Sequence, residues 1–210
     1  MNLKNIYRHI DYTLLKATAS RNEIFNLCKT AITENCASVC IPSSFVREMS
    51  ENFPKLNICT VVGFPLGNSS IFTKIEEAKV AVADGANEID MVINISKMKE
   101  EDYDYIEAEI ECVRNAIGDK ILKVIIETCY LTKEEIAIAT QIVDNSSADY
   151  VKTSTGFGTY GARVEDVEIM VNNIKNGTKV KASGGIRTEE DMRKYLEMGC
   201  DRIGASTLPQ

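Results

Sequence analysis

The sequence predicts a closed parallel (β/α)8 barrel, and three observations carry that reading. Eight short runs of β-branched and apolar residues recur at intervals of roughly 20–35 residues, the spacing of strand–helix units. Longer stretches between them place apolar residues at helical spacing and carry helix start and stop signals. No Gly-x-Gly-x-x-Gly follows the first run, which disfavours the alternative, a doubly wound open sheet built around a dinucleotide. Eight such units in 210 residues lie at the short end of the range for a closed barrel.

The strands are predicted at 10–14, 38–41, 58–62, 88–93, 122–127, 150–154, 179–183 and 202–205. After the first, Ser20 with Glu23 three residues on forms a capping box, and Ile24, Leu27, Cys28, Ala31 and Ile32 then fall on one helix face. Thr73 with Glu76 opens the helix after the third strand, which stops at Asp84-Gly85. A stripe of Ile106, Ile110, Val113 and Ile117 follows the fourth and ends at Gly118. Thr132 with Glu135 opens the next helix, which carries Ile136, Ala139 and Val143. Val167, Met170 and Ile174 lead to Gly177, and Thr188 with Asp191 opens a helix that ends at Gly199. Four of these helices have a glycine just past the end, where a left-handed cap is wanted. No linker or low-complexity tract interrupts the series, so residues 1–210 are read as one barrel domain.

Composition narrows the function classes. The chain is 44% hydrophobic and 26% charged, with 12 glycines and 4 prolines, which is neither disordered nor collagen-like. A chain of this length buries roughly 70% of its unfolded surface. No apolar run reaches the ~18–20 residues of a membrane span, and no secretory signal is visible behind Lys4. The net charge of −7 argues against a nucleic-acid partner, which needs a basic face. Cys28, Cys36, Cys40, Cys59, Cys112, Cys129 and Cys200 are odd in number and irregularly spaced, which reads as free thiols in a reducing cytoplasm. His9 is the one histidine. That excludes a histidine-rich zinc site, and the position reads as a surface or helix-end residue outside the chemistry.

Charges inside the strand patterns are the informative anomaly. Asp90, Lys152 and Lys181 each stand between apolar neighbours at period two, so one face of the strand carries them. An ammonium there is costly unless paired or functional. Pointing outward, the lysines would be snorkelling or ion-paired groups beneath helices. Pointing inward, both lie near the C-terminal ends of adjacent strands, the catalytic face of such a barrel. At ~5 Å apart and an effective dielectric of ~20, two ammonium groups repel by about 3 kcal/mol, roughly two pKa units. One lysine would then be partly neutral near pH 7, as an imine-forming nucleophile requires. Asp90 is then the acid/base partner or a salt bridge to one of the lysines, and the two roles are compatible. Asp11 is a weaker candidate, since a capping or strand-end carboxylate explains it equally well. Lys123 and Glu127 share parity, and Lys123 is assigned to a barrel-wall ion pair while Glu127 is left open.

The last two strands point to phosphate. Gly184-Gly185-Ile186-Arg187-Thr188 opens a helix after the seventh, and Gly204-Ala205-Ser206-Thr207 follows in the eighth. Loops at these two places form the common phosphate site of this fold, where glycines admit backbone N–H groups and a helix N-terminus adds its dipole. Ser206 adds a hydroxyl, and Thr155-Gly156 after the sixth strand is a further contributor. A substrate with a terminal phosphate follows, and an imine-forming lysine implies a carbonyl.

These residues resemble the deoxyribose-phosphate aldolase family. The resemblance runs in order through Asp11-Tyr12-Thr13-Leu14-Leu15-Lys16, Thr60-Val61-Val62-Gly63-Phe64-Pro65-Leu66-Gly67, Glu88-Ile89-Asp90-Met91-Val92 and Leu122-Lys123-Val124-Ile125-Ile126-Glu127-Thr128. It continues through Val151-Lys152-Thr153-Ser154-Thr155-Gly156-Phe157 and Val180-Lys181-Ala182-Ser183-Gly184-Gly185-Ile186-Arg187-Thr188. It implies a class I aldolase on a TIM barrel, with no metal and no cofactor, in deoxyribonucleotide catabolism. The expected reaction interconverts 2-deoxy-D-ribose 5-phosphate with acetaldehyde and D-glyceraldehyde 3-phosphate. By resemblance Lys152 is the Schiff-base lysine, Lys181 the second lysine that perturbs it, and Asp90 the acid/base carboxylate. Asp11, Thr13, Leu15 and Cys40 match pocket positions, and Gly156, Gly184, Gly185, Gly204 and Ser206 match the phosphate cradle.

The pattern departs from its relatives in places. Tyr12 stands where many have a histidine, and Ala17 and Ser43 replace usual prolines. The sequence also stops six residues after Gly204, so a short or missing final helix is expected, with the N-terminal helix or a neighbouring subunit covering the gap. Partners are expected to be small phosphosugars and aldehydes, with a homodimer or higher homo-oligomer and no membrane. A transaldolase-like or isomerase barrel and a non-catalytic phosphosugar-binding barrel are the competing readings. The lysine pair favours the aldolase, because isomerases generally use a carboxylate or histidine base without an imine.

Overall fold

A computed structural model describes residues 3–209. The chain runs α1 (Leu3–Tyr7), β1 (Ile10–Thr13), α2 (Arg21–Glu34), β2 (Ser38–Cys40), α3 (Val46–Asn52) and β3 (Ile58–Val62). It continues through α4 (Ile71–Ala83), β4 (Glu88–Val92), α5 (Ile95–Lys99), α6 (Tyr103–Ile117), β5 (Ile121–Ile125), α7 (Lys133–Asn145) and β6 (Tyr150–Lys152). The last elements are α8 (Val164–Asn173), β7 (Lys179–Ser183), α9 (Glu189–Glu197) and β8 (Arg202–Ala205). Each strand pairs in parallel with its sequence neighbours, and β1 closes on β8 with Asp11 opposite Gly204. The eight strands thus form the closed barrel that the sequence predicts.

Alternation along the strands divides the molecule. Outward positions such as Ile10, Val39, Ile58, Met91, Val124, Val151, Val180 and Ile203 join the helices in one large apolar cluster. The hydrophobic core is therefore an annulus between barrel wall and helices. Inward positions are mostly polar, and this inversion positions the site.

The helix signals hold where they were strongest. Both capping boxes form: Ser20 accepts from Glu23 and Thr132 from Glu135, with the glutamates reaching back. Four differences stand out. α4 starts at Ile71, capped by Ser70, so Thr73 lies inside the first turn rather than before it. Ile32, expected on the buried face of α2, is 50% exposed. α8 ends at Asn173 and Ile174 is already extended, so Gly177 serves the turn into β7 rather than a helix cap. The short helices α1, α3 and α5 carry no sequence stripe long enough to read.

Several strands end one to two residues before the C-terminal limit that the sequence pattern predicts. Residues such as Leu14 and Ile93 still bond to the neighbouring strand (Leu14 N–H to the Cys40 carbonyl at 2.9 Å) but already lead into loops. After β8 no helix follows among the described residues. Leu208 packs on the core, the Tyr7 hydroxyl donates to the Pro209 carbonyl, and α1 lies against α9. The N-terminal helix thus sits beside the segment that follows β8, one of the two expected arrangements.

Candidate active site

Residues that share parity with Asp90 meet in the lumen. They include Glu88 and Asp90 on β4, Lys123 on β5, Lys152 on β6, Lys181 on β7, Arg202 on β8 and Asp11 on β1. Three carboxylates and four cations share this space, where small barrels ordinarily hold apolar layers.

Asp90 is the hub. Its Oδ2 accepts from Nζ of Lys152 and of Lys181, both at 2.7 Å. Its Oδ1 accepts from Lys123 at 2.8 Å and from the Cys59 thiol at 3.1 Å. Lys123 also reaches Glu88 at 2.5 Å, and Lys181 also donates to Asp11. Arg202 binds Asp11 at 2.5 Å and Glu88 at 3.3 Å, and Ser38 donates to Asp11 at 2.8 Å. Lys152 differs from the other cations: among the described residues Asp90 is its one carboxylate partner.

The electrostatics follow from these contacts. Burial alone would raise the Asp90 carboxyl, but Lys123, Lys152 and Lys181 outweigh it and hold the group well below the carboxylate range. Asp11 is likewise held low, by Lys181, Lys123 and Arg202 against its burial. Burial disfavours the Lys181 ammonium, yet Asp11 and Asp90 overcome it and keep this lysine charged above its ordinary range. The expected bare repulsion between the two lysines is therefore modified, because an anionic oxygen stands between them.

Above the network lies a pocket of about 270 Å3 at the C-terminal ends of the strands. Of the four lumen cations, only Lys152 lines it. Thr13, Leu15, Thr155, Gly156, Gly184, Gly185, Gly204 and Ser206, all expected in the site, line it too. Asp90 and Lys181 lie fully buried beneath. Asp11 and Cys40 are also fully buried in the layer below, so they support the pocket rather than form its wall. Cys40 packs with Cys59 and Val61 under Leu15 and Phe64.

The wall assignment of Lys123 is corrected. Its ammonium points into the lumen and pairs with Asp90 and Glu88, not with Glu127. Glu127 instead adopts a left-handed backbone, φ 51°, and its carboxylate accepts from the Thr155 N–H at 3.2 Å and from the Thr155 hydroxyl. It braces the loop that carries Thr155, Gly156 and Phe157 beside Lys152. Burial pushes its carboxyl above the ordinary range, against the Thr155 bonds. His9 faces the opposite end, with Nδ1 2.9 Å from the Asp201 carbonyl oxygen.

The phosphate end is built on close backbone approach. Gly184 and Gly185 have φ of 86° and 79°, conformations that favour glycine. A Cβ on Gly161 would stand 2.1 Å from the Gly184 carbonyl oxygen, so two loops touch through bare backbone. The helix dipole expected here is already engaged. Thr188 caps α9, whose first turn carries Glu189, Glu190 and Asp191. Positive charge at this end comes instead from Lys16 and Arg187, exposed at the pocket wall and without an ion-pair partner among the described residues.

Lys16, Arg187, Phe157, Glu88 and Arg202 were not singled out from sequence. Arg187 directly follows the glycine pair, and Lys16 lies in the loop after β1, which were usable signals. Counting back by two from Asp90 gives Glu88, and from Gly204 gives Arg202.

The family model of the DeoC/LacD family aldolases matches residues 9–207. Among curated proteins, the chain is 51% identical to a deoxyribose-phosphate aldolase of Clostridium botulinum, strain Alaska E43, over 98% of this chain and 94% of the relative. It is 53% identical to the deoxyribose-phosphate aldolase of Finegoldia magna, over 95% of each. Among solved structures, a deoxyribose phosphate aldolase from Aeropyrum pernix, described as a unique tetramer, superposes with a TM-score of 0.88 at 29% identity, covering 98% of this chain and 88% of that one. With the family model matched over almost the whole chain, and identities of half across nearly its full length, the chain belongs to the DeoC/LacD aldolase family.

Proposed function

We propose that this protein is a class I aldolase that reversibly cleaves 2-deoxy-D-ribose 5-phosphate to acetaldehyde and D-glyceraldehyde 3-phosphate, as a step of deoxyribonucleotide breakdown. The observation that carries the reading is the placement of Lys152. It is the one lumen cation that opens on the pocket, Asp90 is its one ion-pair contact among the described residues, and a glycine cradle with Arg187 lines the same pocket.

The chemistry assigns a role to each group. The Lys152 amine attacks C1 of the open-chain sugar, and loss of water leaves a protonated imine. The imine withdraws electrons as the C2–C3 bond breaks and the C3 hydroxyl gives up its proton, releasing glyceraldehyde 3-phosphate. The enamine is then protonated at C2 and hydrolysed to acetaldehyde. Asp90, 2.7 Å from the lysine nitrogen, is placed to pass protons at the carbinolamine and imine stages. Lys181, kept cationic by Asp11 and Asp90, is unsuited to attack a carbonyl and holds Asp90 ionised. Binding of the phosphate by the Gly184-Gly185 turn, Ser206 and Arg187 orients the C2–C3 bond over Lys152.

We read residues 1–210 as one catalytic domain that acts in the cytoplasm as a homodimer or higher homo-oligomer. No described helix is long and apolar enough to cross a membrane. Exposed Leu66, Phe72 and Val80 offer an apolar patch to a second copy.

The test is borohydride trapping with acetaldehyde, followed by intact mass and peptide mapping. A two-carbon adduct on Lys152, absent in Lys152→Ala, is expected. An adduct on Lys181 instead would exchange the two roles. No adduct on folded protein refutes the imine mechanism.

A further inference from the structure

The strand register places two thiols beside the hub carboxylate. Cys40 on β2 is the ladder partner of Cys59 on β3, and Val61 of the same strand is the partner of Asp90 on β4. Their Sγ atoms and a carboxylate oxygen of Asp90 all lie within 4.8 Å of one another, and all three residues are fully buried. Neither sulfur takes part in the proposed reaction.

We propose that Cys40, Cys59 and Asp90 form an inhibitory site for a soft divalent cation of the zinc or cadmium class. Two sulfurs and one carboxylate oxygen are a donor set such ions prefer. On binding, each thiol gives its proton to solvent and forms one metal–sulfur bond. Two protons leave as one dication enters, so the charge of the lumen is unchanged. Oδ1 of Asp90, which now accepts from the Cys59 thiol and from Lys123, becomes the third donor. Lys123 gives up that oxygen and retains Glu88 at 2.5 Å, so no cation is stranded. Lys152 and Lys181 remain on Oδ2. The ion reaches the site past Leu15, which packs on the cluster of Cys40, Cys59 and Val61 and also lines the pocket. Asp90 is thereby fixed to a metal and withdrawn from proton transfer, and turnover stops.

The experiment titrates cadmium into the whole chelator-treated protein and follows the thiolate-to-cadmium charge-transfer absorption. Saturation at one equivalent is expected, with the rate falling in step and returning on adding EDTA. Cys40→Ser and Cys59→Ser should each weaken binding more than about 100-fold, beyond the usual cost of an outer-shell change. Cys129→Ser should bind as the parent does. Absence of the band, or a one-equivalent band that survives in both Cys40→Ser and Cys59→Ser, overturns the site. Binding with undiminished turnover overturns its inhibitory role. X-ray absorption on the unaltered, cadmium-loaded chain decides independently of any variant's folding: two sulfur neighbours support the site, and any other sulfur count refutes it. The absorption band needs no catalysis, so this test stands apart from that of the aldolase reading.

Discussion

Asp90→Asn removes one negative charge from the centre of the lumen while keeping the side chain's shape. The carboxylate accepts from three ammonium groups, at 2.7, 2.7 and 2.8 Å. An asparagine keeps one acceptor oxygen and turns an NH2 donor toward an ammonium on the other side. Lys123 falls back on Glu88, and Lys181 on Asp11. Lys152 has no second carboxylate in ion-pair contact among the described residues, and Glu127 acts on it from farther off, so the cost falls mainly there. Stranding one partner of a buried ion pair costs about 3–5 kcal/mol. Lys152 can turn toward the pocket, so a loss near 3 kcal/mol at pH 7 is expected. The pH dependence has a definite sign. The Asp90 carboxyl is held low in the folded protein, so its contribution is present above the unfolded pKa of about 3.9 and fades as pH falls through the lower folded value. Parent and variant therefore converge as pH falls below about 4. Urea midpoints at several pH values, with unchanged slope, measure this directly. A loss under ~0.5 kcal/mol at pH 7, or one that does not vary with pH, would show that Asp90 does not hold the cations together.

Three further outcomes are expected. Lys74→Met strands the buried Glu109, which Lys74 contacts at 2.5 Å, and should cost about 3–5 kcal/mol in chemical unfolding, whereas Lys74→Met/Glu109→Leu should recover most of it. Gly161→Ala pushes a methyl into the Gly184 carbonyl and should raise KM for the phosphosugar at least tenfold, while the reaction of an unphosphorylated aldehyde changes little. Arg187→Ala removes one charge-assisted contact worth about 1.5–3 kcal/mol, so KM should rise roughly 10- to 100-fold, most steeply at low salt; an unchanged KM would place the phosphate elsewhere.

Much of this was legible because the barrel separates two kinds of side chain by parity. Asp90, Lys152 and Lys181 stand out as charges inside apolar strands, and the capping boxes at Ser20 and Thr132 mark helices in the sequence itself. The direction of Lys123 was not legible: a lysine in a strand pairs along its own strand or across the lumen, and only closure brings Asp90 and Glu88 within its reach. Depth was hidden for a similar reason. Asp11 and Cys40 share parity with pocket residues but sit one layer lower, and depth depends on the stagger between strands. The short helices α1 and α5, of five residues each, present no repeating stripe. Lys16 lies in a loop, where periodicity carries no information.

The ionic lumen has a consequence for assembly. A strand that slipped by one residue would turn Lys123, Lys152 or Lys181 out beneath the helices, far from any carboxylate, at several kcal/mol apiece, and bring Val124, Val151 or Val180 inside against unpaired acids. Apolar layers in a lumen tolerate such a slip more readily, since one branched aliphatic replaces another. Here mutual recognition among opposite charges acts as a register lock, so the groups proposed to make the reaction possible also tell each strand where to stop sliding.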